Sequence, residues 1–165
     1  MSTGIVAGAG ETPRVDSHLL KFNQAWTVGL TALAFALQWR WLVVVAALCL
    51  LVSAAAPSVG LFRLLYRYVA VPLRLLRPRI VEDDPAPHRF AQAVGATFLI
   101  ASTAVLFLAP GAAVAGWALD LIVFALSLVN LTVGFCLGCF VYYQLGRLGL
   151  MPRVRYAGGF HWRGA

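Results

Sequence analysis

The sequence predicts an all-α membrane protein: four transmembrane helices form two helical hairpins in a parallel pseudo-repeat, joined by an amphipathic interfacial segment. Three observations lead there. Hydrophobic residues make up 61% of the 165-residue chain and charged residues 12%, with a mean hydropathy of +0.83, whereas a soluble domain carries charge on roughly 25% of its residues. Apolar runs recur at about 22–38, 41–56, 90–109 and 113–145, separated by short breaks rich in Arg, Trp, Pro or Gly. The cations of this +7 chain also segregate: only Arg40 falls between the first and second runs, and the others lie before the first, between the second and third, or after the fourth. That asymmetry reads as orientation and anionic lipid, not as nucleic-acid binding.

Residues 1–15 have no apolar stretch behind early positive charge and no small-residue cleavage pattern, so they read as a flexible tail, not a signal peptide. Asp16 and Ser17 are both good N-caps for a helix starting near His18, and Lys21 can snorkel at its entry. The runs 22–38 and 41–56 form the first hairpin, whose tip is Trp39-Arg40-Trp41, an aromatic interface belt around one cation. Each run is short for a span, so a pair of re-entrant half-helices is the competing reading. Cys49, mid-run with no polar neighbour, reads as a small packing residue.

The linker, 57–88, alternates apolar residues with arginine. Arg63 and Arg67 share one helical face, and with Arg74, Arg77 and Arg79 they predict an interfacial helix, broken near Pro72, on anionic headgroups. An acidic proline turn follows, Glu82-Asp83-Asp84-Pro85-Ala86-Pro87-His88. Its carboxylates and histidine are metal-ligand types, but the plainer reading is an N-cap at Asp84 with Pro85 opening the next helix, and no metal or other cofactor is expected.

The second hairpin comprises 90–109 and 113–145, with Pro110-Gly111 at its turn. An internal echo links it to the first: Asp16, Lys21, Phe22, Gln24 and Ala25 match Asp84, Arg89, Phe90, Gln92 and Ala93 at a constant offset of 68 residues. Gln24 and Gln92 would then occupy equivalent places just inside the bilayer, where an amide must face protein or water. The cation count places both termini, the linker and the basic tail 146–165 in the cytoplasm of a bacterial cell, with the 16–145 membrane domain in its inner membrane.

The last run holds most of the chemistry. In GFCLGCFVYYQL, 134–145, Cys136 and Cys139 stand at i and i+3, where a disulfide requires some backbone adjustment and Gly134 and Gly138 permit it. A break at Gly134 would set both in the first turn of a new helix, whose dipole favours a thiolate. Facing the cytoplasm, the thiols are expected to rest reduced. The competing reading is that both only fill space. In one continuous helix, Asp120, Ser127, Asn130, Gly134 and Gly138 form a small polar stripe, with Cys136 and Cys139 opposite. Asp120 is the only acid in a span and hence a proton-site or gating candidate, the alternative being an acid hydrated near the outer interface.

RFAQAVG at 89–95, followed by FCLGCFVYY at 135–143, resembles a bacterial integral-membrane family of unknown function whose hallmark is FCxGCxxY near the end of its last helix. The resemblance covers residues 15–145. It implies a small four-helix inner-membrane protein with Cys136, Cys139 and Tyr142 as signature positions. Thioredoxin-like and sulfurtransferase genes neighbouring its relatives further imply thiol or sulfur chemistry with a partner of that kind.

Two function classes follow. One is thiol, disulfide or reduced-sulfur handling, as relay or transport, through Cys136 and Cys139, with Gln24, Gln92, Asp120 and Asn130 as candidate binding residues. The other is a non-catalytic assembly subunit or scaffold whose cysteines are structural. Other enzyme classes find little support, because no nucleophile is paired with a base in sequence and there is no phosphate-binding loop.

Overall fold

The computed structural model describes residues 14–56, 64–70 and 80–152 and is mostly helical. Its principal helices are α1 (Ser17–Ala36), α2 (Arg40–Ala55), α3 (Pro85–Leu108), α4 (Ala113–Val133) and α5 (Leu137–Arg147). Two stretches, Pro85–Leu108 and Pro110–Val133, are long and apolar enough to cross a membrane, and α2 is a shorter apolar helix.

The fold departs from an all-α expectation in one place: β1 (Arg14–Asp16) pairs antiparallel with β2 (Ile80–Glu82). The cause is local. Each extended segment leads into a helix cap, and side by side they satisfy each other's backbone groups before either helix begins. Asp16 caps α1 by accepting from the backbone N–H groups of His18 at 3.0 Å and Leu19 at 3.4 Å. Asp84 caps α3 by accepting from Ala86 N–H at 2.9 Å, with Pro85 as its first residue. The two aspartates of the sequence echo therefore do the same work.

The ladder sets the starts of α1 and α3 side by side at one end of the bundle. Arg89, near the start of α3, donates to the carbonyls of Ala54 and Ala55 at the end of α2, 3.0 and 3.5 Å away. At the opposite end Arg40, which opens α2, donates to Leu106 C=O of α3 at 3.1 Å and lies over the Phe107 ring. Helices α2 and α3 are thus antiparallel. Packing crosses between the halves: α1 lies on α4 and α2 on α3, while α1 also touches α2 and α3 touches α4. A twofold exchange of the hairpins reproduces this set of neighbours. The rings extend it, because Phe22 packs on Tyr66 at 5.6 Å and its echo Phe90 packs on Tyr142 at 5.4 Å. Burial, and next the neighbouring Asp16, push the Tyr66 phenol up to about 12.

An apolar core forms around Val43, Leu50, Leu99 and Leu106, yet polar groups share the interior and many large apolar side chains face outward. Leu33, Leu48, Ile100, Leu108 and Val129 are exposed, whereas Asn23, Thr27, Thr31, Ser102 and Asp120 are buried. Three of the buried hydroxyls are satisfied inside: Thr27 and Thr31 donate to the carbonyls of Asn23 and Thr27, and Ser102 donates to Gly116 C=O at 2.7 Å.

The run 113–145 is not one helix. Gly134 takes a left-handed conformation, φ 77°, and closes α4 with its N–H on Asn130 C=O at 3.0 Å. Helix α5 restarts at Leu137 and lies against α3. This corrects the continuous polar stripe: Asp120, Ser127 and Asn130 stay on α4, Gly134 becomes its cap, and Gly138 belongs to α5. Of the linker arginines, Arg67 lies exposed on a π-helical turn at Tyr66–Ala70. Arg63, Arg74, Arg77 and Arg79 lie outside the described residues.

Candidate functional site

The restart at Leu137 makes Cys136 the N-cap of α5 and puts Cys139 in its first turn. The Cys139 N–H donates to Cys136 Sγ at 3.2 Å, so the sulfur acts where a serine or aspartate usually caps. The Cα atoms are 5.2 Å apart and the two sulfurs lie at disulfide distance. The pair stands at the positive end of the α5 dipole. The break lets residue 136 leave helical geometry, and that brings the two sulfurs together.

Helix α5 comes unusually close to α3. A Cβ built on Gly138 would lie 2.6 Å from Ala91 Cβ and 2.8 Å from Ala91 Cα, so the two backbones nearly touch and only glycine fits. Tyr142, buried on Phe90, fastens α5 one turn further along. Tyr142 thus holds the helix that carries the pair.

The docking brings in a residue that the sequence assigned to a turn. His88, in the first turn of α3, places Nδ1 3.6 Å from Cys139 Sγ and Nε2 2.8 Å from Asp83 Oδ2. Asp83 also accepts from Asp84 N–H at 2.8 Å, which fixes the carboxylate in the turn. A carboxylate–imidazole–sulfur series results, with both side chains mostly buried. The sequence-level statement that no nucleophile has a base is overturned here. Asp83 and His88 were visible five residues apart, but their meeting with Cys139 depends on the break at Gly134, and no local pattern announces it. The capping reading of Asp84 stands beside this role of Asp83.

Around the sulfurs lie two adjoining cavities. One, about 80 Å³, has Asn23, Gln24, Gln92, Asn130, His88 and Cys136 on its wall, among apolar neighbours such as Leu20 and Leu50. The echoed glutamines thus meet in a single space, joined by Asn23, whose buried Oδ1 has no protein partner. The other, about 280 Å³, is a largely apolar cleft between α3, α4 and α5, reached through exposed side chains such as Val94, Ile122 and Leu126. Cys136, Ser127 and Asn130 line both. Because the chain turns at Gly134, Cys136 faces the same space as Asn130, contrary to the opposite faces expected of one helix. Asp120 is not part of this site: it is fully buried in α4, and neither carboxylate oxygen has a hydrogen-bond partner.

The two sulfurs are therefore inequivalent. Cys136 is the one that a molecule in either cavity meets, and Cys139 is the one with a proton-transfer partner. For thiol–disulfide exchange this is a complete division of labour, since the attacked sulfur must be approachable and the departing one must be stabilised as it gains charge.

No curated protein and no solved structure matches the chain. A family model described as a domain of unknown function, DUF4395, matches residues 15–147, a span that takes in the helices α1 to α5, the acidic turn and both cysteines, and the chain belongs to that family.

Proposed function

We propose that this chain is a multi-pass protein of the bacterial inner membrane that carries out thiol–disulfide exchange at the cytoplasmic edge of the bilayer. The observation that carries the reading is the junction of His88 with Cys139, the sulfur of the pair that lines neither cavity. An incoming thiolate attacks Cys136 Sγ. A bond forms between the two sulfurs, the 136–139 bond breaks, and its electron pair goes to Cys139, which takes a proton from His88 while Asp83 holds the ring. The resulting mixed disulfide on Cys136 is resolved by a second thiol of the partner, leaving the pair reduced and the partner oxidised. A cytosolic thioredoxin-like protein or a sulfurtransferase suits this role, with Gln24, Gln92 and Asn130 binding the arriving group.

The bilayer placement as four spans is part of this proposal, and Pro85–Leu108 and Pro110–Val133 are long and apolar enough for two of them. Large apolar side chains exposed outside and polar ones held within support it. Helices α1 and α2 are shorter or less apolar than the other two and span with their interfacial ends, Trp39 and Trp41 among them. The arginine linker lies on anionic headgroups on the cysteine side.

The test is a redox titration of purified protein in lipid nanodiscs, read by mass-tagging of free thiols. The pair should equilibrate with a dithiol buffer and form a trapped mixed disulfide with a partner only through Cys136 when Cys139 is replaced by serine. If both cysteines can be replaced without loss of a sulfur-linked phenotype, or if the pair never exchanges, the protein is a scaffold.

A further inference from the structure

Exchange leaves open where the electrons of the pair go or come from, and the second cavity bears on that. Cys136 lines both the 80 Å³ cavity and the 280 Å³ cleft, so one sulfur is offered to two adjoining spaces. The smaller cavity is bounded by α1, α2, α3 and α4, whereas the cleft lies between α3, α4 and α5 with Phe90, Val94, Phe98, Ile122, Leu126 and Val141 in its wall. Several of these side chains are also exposed on the helix surfaces, so the cleft opens toward the position of lipid. A water-soluble disulfide or peptide thiol has no reason to enter from that side. A ligand reaching Cys136 there must dissolve in the bilayer, present a flat apolar body, accept hydrogen bonds and exchange two electrons with a thiol pair.

We infer that the cleft binds a membrane quinone, with its ring beside Cys136, its carbonyls toward Ser127 and Asn130, and its isoprenoid tail leaving between α3 and α4. The inference rests on the proposed exchange activity and names its second substrate. The volume is near the lower end of the roughly 300–1,000 Å³ of small-molecule sites, enough for a ring whose tail remains in lipid. Asn130 and Ser127 are the polar groups of an otherwise apolar wall, the pattern by which such sites orient a carbonyl ligand.

The step balances. The Cys136 thiolate adds to the quinone ring, forming a C–S bond. Cys139, its proton taken by His88, attacks Cys136 Sγ; the S–S bond forms as the C–S bond breaks and its electron pair passes to the ring. Two protons, equal in number to those the thiols release, complete the hydroquinone. Two thiols are oxidised to one disulfide, and one quinone is reduced. The asymmetry used for exchange serves again: Cys136 meets the substrate and Cys139 uses the base.

The experiment uses the full chain in nanodiscs, reduced, freed of reductant and mixed anaerobically with ubiquinone-1 or menadione. Loss of quinone absorbance should match disulfide formation one to one, and Cys136→Ser should abolish it. Val94→Trp and Ile122→Trp, which fill the cleft from opposite walls, should slow quinone reduction at least about tenfold while leaving exchange with oxidised dithiothreitol unchanged. That second reaction also reports that the variants are folded. Exchange with the soluble disulfide but no reduction of either quinone overturns the inference and leaves the exchange reading intact; the cleft then holds an acyl chain. Equal quinone rates in the two tryptophan variants and the parent overturn it as well. Failure of both reactions in the parent removes the exchange reading itself.

Discussion

His88 Nδ1 lies 3.6 Å from Cys139 Sγ, although the two residues are 51 positions apart and belong to different helices. If the imidazole gives and takes the Cys139 proton, His88→Ala should slow exchange by about 10²-fold, the lower range of general acid–base contributions. Asp83→Asn, which keeps the shape of the turn and removes the charge, should cost about tenfold. Stopped-flow exchange with a small disulfide, with thermal unfolding of each variant beside it, separates these effects from mere packing. Free imidazole added to His88→Ala should restore part of the rate by replacing the lost ring. A slowed variant that imidazole does not rescue, or one that exchanges as fast as the parent, would assign the histidine a structural part.

The contact of Gly138 with Ala91 predicts a second result. Gly138→Ala forces α5 away from α3, because backbone and Cβ atoms of Ala91 occupy the space. Exchange should fall, and thermal stability with it, by about 1–3 kcal/mol as for other overpacked positions. Adding Ala91→Gly removes one of the two clashing atoms and should restore part of both. If the single variant matches the parent, the close approach does not hold the site together.

Thiol labelling should separate the cysteines by state. Cys136 and Cys139 should resist a membrane-impermeant maleimide until reduced, and then label in inside-out vesicles. Cys49, buried on α2 among apolar residues, should remain unlabelled in either state until the protein is denatured. Similar labelling rates for all three after reduction would mean that the pair has no privileged access.

Orientation follows from the arginines. Reporter fusions at residue 40 and at the C-terminus should give opposite signals, the first outside and the second cytoplasmic. Equal signals would remove the four-span arrangement and, with it, the cytoplasmic position of the sulfur pair.

Much of this architecture is legible in the sequence because it is periodic or local. Asp16 and Asp84 announce their caps, the Pro110 turn and the Arg40 belt mark helix ends, and the 68-residue echo anticipates Gln24 and Gln92 lining one cavity. Gly134 and Gly138 mark in the sequence where a bend is permitted. What the bend would do was not legible: a left-handed residue redirects everything after it, so Cys136 changes faces and Cys139 meets His88. The β1–β2 pairing was hidden for the opposite reason. Three residues on each side are too few for an alternation pattern, and their pairing is set by the helices they precede.

The crossed packing of the hairpins, α1 on α4 and α2 on α3, bears on how such a chain arises and how it can be divided. Neither hairpin closes its own interior, so an ancestral single hairpin would have been complete only as a pair of identical copies. Gene duplication and fusion would preserve that interface while freeing one copy to change. In this chain both halves carry the capping aspartate, the glutamine and a Phe–Tyr ring pair, while His88, Cys136 and Cys139 belong to the second half alone. A gene split within the linker should accordingly yield two fragments that are inactive apart and complement each other when co-expressed.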